Sequence, residues 1–106
     1  MVSVVVVNYN GADALERCLD ALVADGGAVQ TEILVVDNAS TDGSDQIAER
    51  AAGEHDALRL IRSETNRGYA GAVNLALSEA RGEFVAVLNM DVLVSGGWLV
   101  PLPHPE

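Results

Sequence analysis

The run Val2-Ser3-Val4-Val5-Val6-Val7 limits the fold more than any other stretch of the chain. β-branched side chains are stiff at χ1 and favour extended backbone. A strand with one face in water alternates apolar and polar residues, and this run hardly alternates, so both of its faces must be covered. Strands buried on both faces belong to parallel sheets sandwiched between helices. Glu32-Ile33-Leu34-Val35-Val36-Asp37 and Glu83-Phe84-Val85-Ala86-Val87-Leu88 repeat the pattern, and Ala57-Leu58-Arg59-Leu60-Ile61 alternates weakly and reads as an edge strand.

Helical spacing fills the gaps. Ala14, Leu15, Cys18, Leu19, Leu22 and Val23 outline one helix, closed by Gly26-Gly27. Ile47, Ala48, Ala51 and Ala52 outline a second, from near Gly43 to about Glu54, and Ala70, Val73, Asn74, Leu77 and Ala80 a third, ended by Gly82. The order β-α-β-α-β-α-β predicts an α/β fold, a three-layer α/β/α arrangement on a mostly parallel sheet with right-handed crossovers. The 106 residues suffice for one small domain. We place it at residues 1–94. A tail follows at 95–106, where Pro101, Pro103 and Pro105 cannot continue a helix, so a loose tail or a packing arm is expected.

Sixteen acidic residues face six arginines and no lysine, for a net charge of −10. Such a surface repels phosphate backbones and argues against a nucleic-acid partner. A nucleoside diphosphate would need a helix N-terminus or a divalent cation to offset that field. Cys18 is the only cysteine, which excludes an intrachain disulfide, and its place in an apolar stripe makes it a small core residue. No uncharged apolar run is long enough to span a bilayer. A cytoplasmic location, or one at the inner face of the membrane, is expected.

In open α/β sheets ligands bind outside the carboxyl ends of the strands. Four polar segments fall there: Asn8-Tyr9-Asn10, Asp37-Asn38-Ala39-Ser40, the loop through Asn66-Arg67-Gly68, and Asn89-Met90-Asp91. Taken singly, each also reads as the polar turn that any strand end requires. Asp37 follows Val35-Val36 directly, and a buried strand end is a poor place for a lone carboxylate. It reads either as a cap for the next helix, for which Ser40, Thr41 and Asp42 are better placed, or as an acceptor for a nucleobase N–H or a ribose hydroxyl. Asp91 with the Asn89 carbonyl meets the minimum that Mg2+ or Mn2+ takes from protein, although the spacing alone favours a plain Asx turn. Gly68 and Gly71 at the start of the third helix allow close backbone approach, and Arg67 either pairs with a phosphate or is a solvated loop residue. His55 and His104 read as surface residues. The Gly-x-Gly-x-x-Gly turn, the phosphate-binding loop with its lysine and the Gly-x-Ser-x-Gly elbow are all absent.

Four segments in order, Val4 to Asn10, Ile33 to Ser44, Asn66 to Asn74 and Leu88 to Asp91, resemble family 2 glycosyltransferases, with the rhamnosyltransferase-like branch closest because Asn89 stands in place of the first Asp of the family's Asp-x-Asp motif. The resemblance covers residues 2 to about 100. It implies the GT-A fold, of which this chain is the nucleotide-sugar-binding half. It implies nucleotide contacts from Tyr9, Asn10, Asp37, Asn38, Asn66, Arg67, Gly68 and Asn89. Tyr9 would lie against a uracil or thymine base, Asp37 would accept from it, and Asn89 would sit beside the ribose. Asp91 would hold Mg2+ or Mn2+ against the diphosphate, with one carboxylate where two-carboxylate members bind the metal more tightly. The partner implied is a nucleotide-diphosphate sugar, UDP- or dTDP-linked. Family members run about twice this length or more, and their second half supplies the acceptor site and the general base. After Asp91 only Glu106 is acidic, so no catalytic residue is assigned and a truncated donor-binding module is expected. The alternatives are a non-catalytic nucleotide-binding remnant or an interaction module; a nucleotidyltransferase is disfavoured by the missing Gly- and Lys/Arg-rich loop after the first strand. A fourth strand left as an edge makes a homodimer the expected assembly.

Overall fold

The computed structural model describes residues 1–24, 31–88 and 102–103 of the chain. The strands are β1 (Val2–Asn8), β2 (Thr31–Asn38), β3 (Leu58–Ser63), β4 (Phe84–Leu88) and the two-residue β5 (Leu102–Pro103). The helices are α1 (Ala12–Ala24), α2 (Ser44–Glu54) and α3 (Gly68–Leu77). The sheet order is β3-β2-β1-β4-β5, with β1 to β4 parallel and β5 antiparallel to β4. β1, with the densest β-branched run, lies at the centre, where Val4, Val5 and Val6 are all fully buried. Each such side chain contributes about 1.5–3 kcal/mol relative to exposure. β3, the run that alternates weakly, is an edge strand, as expected.

Strand alternation splits the core into two layers. Val2, Val4 and Val6 point with Ile33, Val35, Leu58 and Leu88 toward Leu15, Cys18, Leu19 and Leu22 of α1 and Ala48 of α2. Val5, Leu34, Val36 and Val85 point the other way, toward Ala72 and Ala76 of α3. The three-layer α/β/α expectation is met. Burial pushes the Cys18 thiol up to about 12, so it stays protonated as a core residue.

Two details differ from the sequence reading. α3 ends at Leu77, five residues before Gly82. Gly82 is instead a close-approach residue, because a Cβ there would lie 2.6 Å from Ser3 Oγ and 2.8 Å from the Met1 carbonyl oxygen. β4 is also not left as a bare edge, since Leu102 and Pro103 pair with Val85 and Phe84. Gly26-Gly27 and the rest of the tail lie outside the described residues.

Gly82 belongs to a polar lock at the amino-terminal edge of the sheet. Its N–H donates to Ser3 Oγ at 2.8 Å, and Ser3 donates to Glu32 Oε2 at 2.6 Å. Glu32 also accepts from the Arg81 backbone N–H at 2.6 Å and pairs with Arg59 at 3.4 Å. Burial alone would raise the Glu32 carboxyl, but the hydrogen bonds from Ser3 and Arg81 and the Arg59 charge outweigh it and hold it below the ordinary carboxylate value.

Candidate functional site

At the opposite, carboxyl edge, the register sets Asn8 beside Asp37 and Asp37 beside Arg62, with Asn38 beside Ser63. Consecutive strand residues face opposite ways, so Asp37 turns to the α1/α2 face with Asn8, and Asn38 to the α3 face.

On the α1/α2 face the groups bond one another. Asn8 Nδ2 donates to Asp37 Oδ1 at 2.9 Å, to Ser44 Oγ at 2.9 Å and to Ser40 Oγ at 3.2 Å. Two amide hydrogens serve three acceptors, so one bond is shared. Asp37 can only accept, and that decides which end of the Asn8 amide faces it. Asp37 accepts again from the Ser40 hydroxyl at 2.7 Å and from the Ser40 N–H at 3.1 Å. The carboxylate expected to be lone is therefore buried, 4% exposed, and closes the loop after β2. A ligand that reached Asp37 would have to share it. Asn8 Oδ1 is buried with no partner among the described residues. Asn10, with φ 51°, fastens the same loop: its N–H donates to Ser40 Oγ at 3.0 Å and its Oδ1 accepts from Thr41 N–H at 2.7 Å. Asp42 accepts from Ser44 N–H at 2.9 Å, just before α2; its hydrogen bonds with Ser44 hold its carboxyl below the ordinary value.

The described residues at the rim on the α3 face, Glu64 to Ala70, are exposed. Asn38 is 3% exposed and seats the helix: its Oδ1 accepts from Arg67 N–H at 2.9 Å and its Nδ2 donates to the Gly68 carbonyl at 3.2 Å. Asn66 Oδ1 accepts from Gly68 N–H at 2.8 Å, and Gly68 has φ 74°, a conformation glycine adopts without strain. The Arg67 side chain, at the N-cap position, makes no capping bond of its own, so Asn66 alone serves the first N–H of α3. Tyr9 and Tyr69 are 51% and 57% exposed. The two arginines nearest the rim differ. Arg62 pairs with Asp45 and Glu49 of α2 at 3.3 and 3.0 Å, whereas Arg67 is exposed and has no carboxylate partner among the described residues.

The fold thus brings Tyr9, Asn10, Asp37, Asn38, Asn66, Arg67 and Gly68 to one rim. Asn89 and Asp91 lie outside the described residues. Among the described residues no group of three or more His, Cys, Asp or Glu could hold a metal ion. Three contributors were missed from sequence: Asn8 as the hub, Ser63, and the exposed Tyr69. Only the strand register that sets Asn8 beside Asp37 and Ser63 beside Asn38 exposes the first two roles.

A parallel sheet with a polar rim at its carboxyl edge and a helix start beside it is the ligand-binding arrangement of open α/β sheets, and the solved structures it matches are GT-A nucleotide-sugar transferases. Solved structures agree. The mannosyltransferase PcManGT of Pyrobaculum calidifontis, in complex with GDP-Man and Mn2+, superposes with a TM-score of 0.77 at 39% identity, over 85% of this chain and 27% of that one. S. aureus TarS 1-349 in complex with UDP-GlcNAc gives 0.75 at 35% identity, over 85% and 26%. The chain belongs to glycosyl transferase family 2, whose model matches residues 3–102. The succinoglycan biosynthesis protein ExoO of Rhizobium meliloti is 39% identical over 90 residues, and glycosyltransferase AglE of Haloferax volcanii 31% over 99, covering 85% and 92% of this chain. The chain spans 25% and 33% of those two relatives' own lengths. No helix among the described residues is long and apolar enough to cross a membrane.

Proposed function

We propose that the chain binds a UDP- or dTDP-linked sugar at the α3 half of the rim, as the donor site of a glycosyl transfer. The observation that carries this reading is Arg67: an exposed guanidinium without a carboxylate partner among the described residues, in a chain of net charge −10, at the amino end of α3. Anions favour that position. Tyr9 offers an exposed ring for a base, with Asn38, Asn66 and Gly68 bordering the nucleotide, Asn10 and Asp37 meeting it from the α1/α2 side of the rim, and Asn89 beside the ribose. GDP-Man in one solved relative and UDP-GlcNAc in another show that similar chains take different bases; the choice of uracil or thymine here rests on the motif resemblance.

Asp91 is the proposed ligand for Mg2+ or Mn2+. One carboxylate suits these ions when phosphate oxygens and water complete the shell. The bound ion would neutralise charge on the departing nucleoside diphosphate. The acceptor site and general base are proposed to come from sequence beyond these residues, so this chain alone would bind without transferring. We also propose a cytoplasmic location and a homodimer, the latter sunk by a clean monomer in concentrated sedimentation runs.

The test is calorimetric titration of UDP, with and without Mn2+, into the protein and into Asp91→Ala. Metal-dependent binding that disappears in the variant supports the donor site. A folded protein that binds no nucleotide under either condition sinks it and leaves a non-catalytic remnant.

A further inference from the structure

We infer that Ser63 is a positioning residue that holds Arg67 by its Nε edge and leaves the NH1/NH2 end for the oxygens of the ligand. The inference rests on the donor-site reading above and goes one step deeper into it.

Ser63 is the last residue of β3 and is 6% exposed. Its Oγ–H donates to the Thr65 carbonyl at 2.6 Å. A hydroxyl has one proton, so committing it to the backbone leaves only lone pairs for other partners. Arg67 Nε donates to one of them at 2.9 Å. The direction of both bonds is therefore settled by chemistry.

Two further contacts restrict the same residue, one at its backbone and one at its stem. Arg67 N–H is tied to Asn38 Oδ1. The Arg67 stem also lies against Gly71, where a Cβ would come 2.8 Å from Arg67 Cβ and 3.9 Å from Cγ. Any larger residue at 71 would displace the stem or the first turn of α3. An arginine held at its backbone, stem and Nε loses less rotamer freedom when it binds, which is how preorganisation raises affinity. With Nε–H engaged, the other four guanidinium donors have no partner among the described residues, and they form the end-on fork that matches paired oxygens.

The experiment compares the protein with Ser63→Ala, Ser63→Thr and Gly71→Ala. UDP and GDP are titrated in Mn2+, with melting temperatures and 15N-detected exchange of the Arg67 Nε–H measured alongside. The expected result is roughly five- to tenfold weaker binding in Ser63→Ala, recovery in Ser63→Thr, and faster Nε–H exchange only where the hydroxyl is gone. Gly71→Ala should also bind more weakly, although alanine is the better helix former. An equal loss for both nucleotides marks the shared diphosphate as the acceptor; a loss for one marks its base. Wild-type affinity in Ser63→Ala overturns the inference. If the wild-type protein binds neither nucleotide, the donor-site reading fails, and the exchange data still decide: equal exchange in wild type and Ser63→Ala overturns the holding role, and slow exchange lost in the variant supports it.

Discussion

The two faces of the carboxyl rim start from similar residues and reach opposite states. On the α1/α2 face, Asn8, Asp37 and Ser44 are at most 4% exposed and bond one another. On the α3 face, Asn38 and Ser63 are the buried polar residues among those described, and what they hold in place, Arg67 and the start of α3, is exposed. A cluster whose donors and carboxylate are engaged with one another, with Asn8 Oδ1 its one buried atom without a partner among the described residues, stabilises and shapes the loop but has little left to offer a ligand. A held but unsaturated group can bind. Adjacent residues, Asp37 and Asn38, serve the two sides because a strand turns successive side chains to opposite faces. Ala39, between Asn38 and Ser40, has φ 66°, a left-handed conformation that costs a non-glycine residue free energy. The junction between the two halves is thus the strained point of the rim.

The contrast can be broken most forcefully at Asn8. Asn8→Ala strips Asp37 and Ser44 of a buried donor and should lower stability by about 3 kcal/mol in chemical denaturation. A variant as stable as wild type that no longer binds UDP would reverse the roles assigned to the two faces. Arg67→Ala should do the opposite, weakening UDP binding about tenfold, or about 1.4 kcal/mol. Its stability should stay within about 0.5 kcal/mol of wild type, as for other surface changes. Ala39→Gly relieves the left-handed strain and should raise stability by about 1 kcal/mol, measured by the same denaturation; an unchanged midpoint would place no strain at the junction.

The smallest effect tests a polar cluster outside both halves. The Glu32 carboxyl titrates below its ordinary value in the folded protein. A depressed folded value means its contribution is fully present above the ordinary carboxylate pKa and is lost as pH falls through the folded value. Stability should therefore decline on acidification below about pH 4.3, and Glu32→Gln should flatten that decline without changing UDP affinity at neutral pH. An unaltered acid profile in the variant would assign the decline to other groups.

Much of this architecture can be read from the chain itself. The apolar runs at Val2, Ile33 and Val85 read as strands buried on both faces, and helical patterns between them point to a parallel sheet covered by helices. The polar residues that follow them must then collect at one edge, so Tyr9, Asp37, Asn38 and Arg67 could be placed together before any coordinates. What they do there could not be read. Asn8 and Asp37 are 29 residues apart, as are Asn38 and Arg67, and Arg67 reaches Ser63 across a turn. Periodicity within one strand shows that it has two faces but not which helix covers each, and that choice decides whether a polar side chain is saturated or left open. Gly82 makes the same point: it reads as a helix stop along the chain, while in space it is glycine because Ser3 and Met1 leave no room for a side chain.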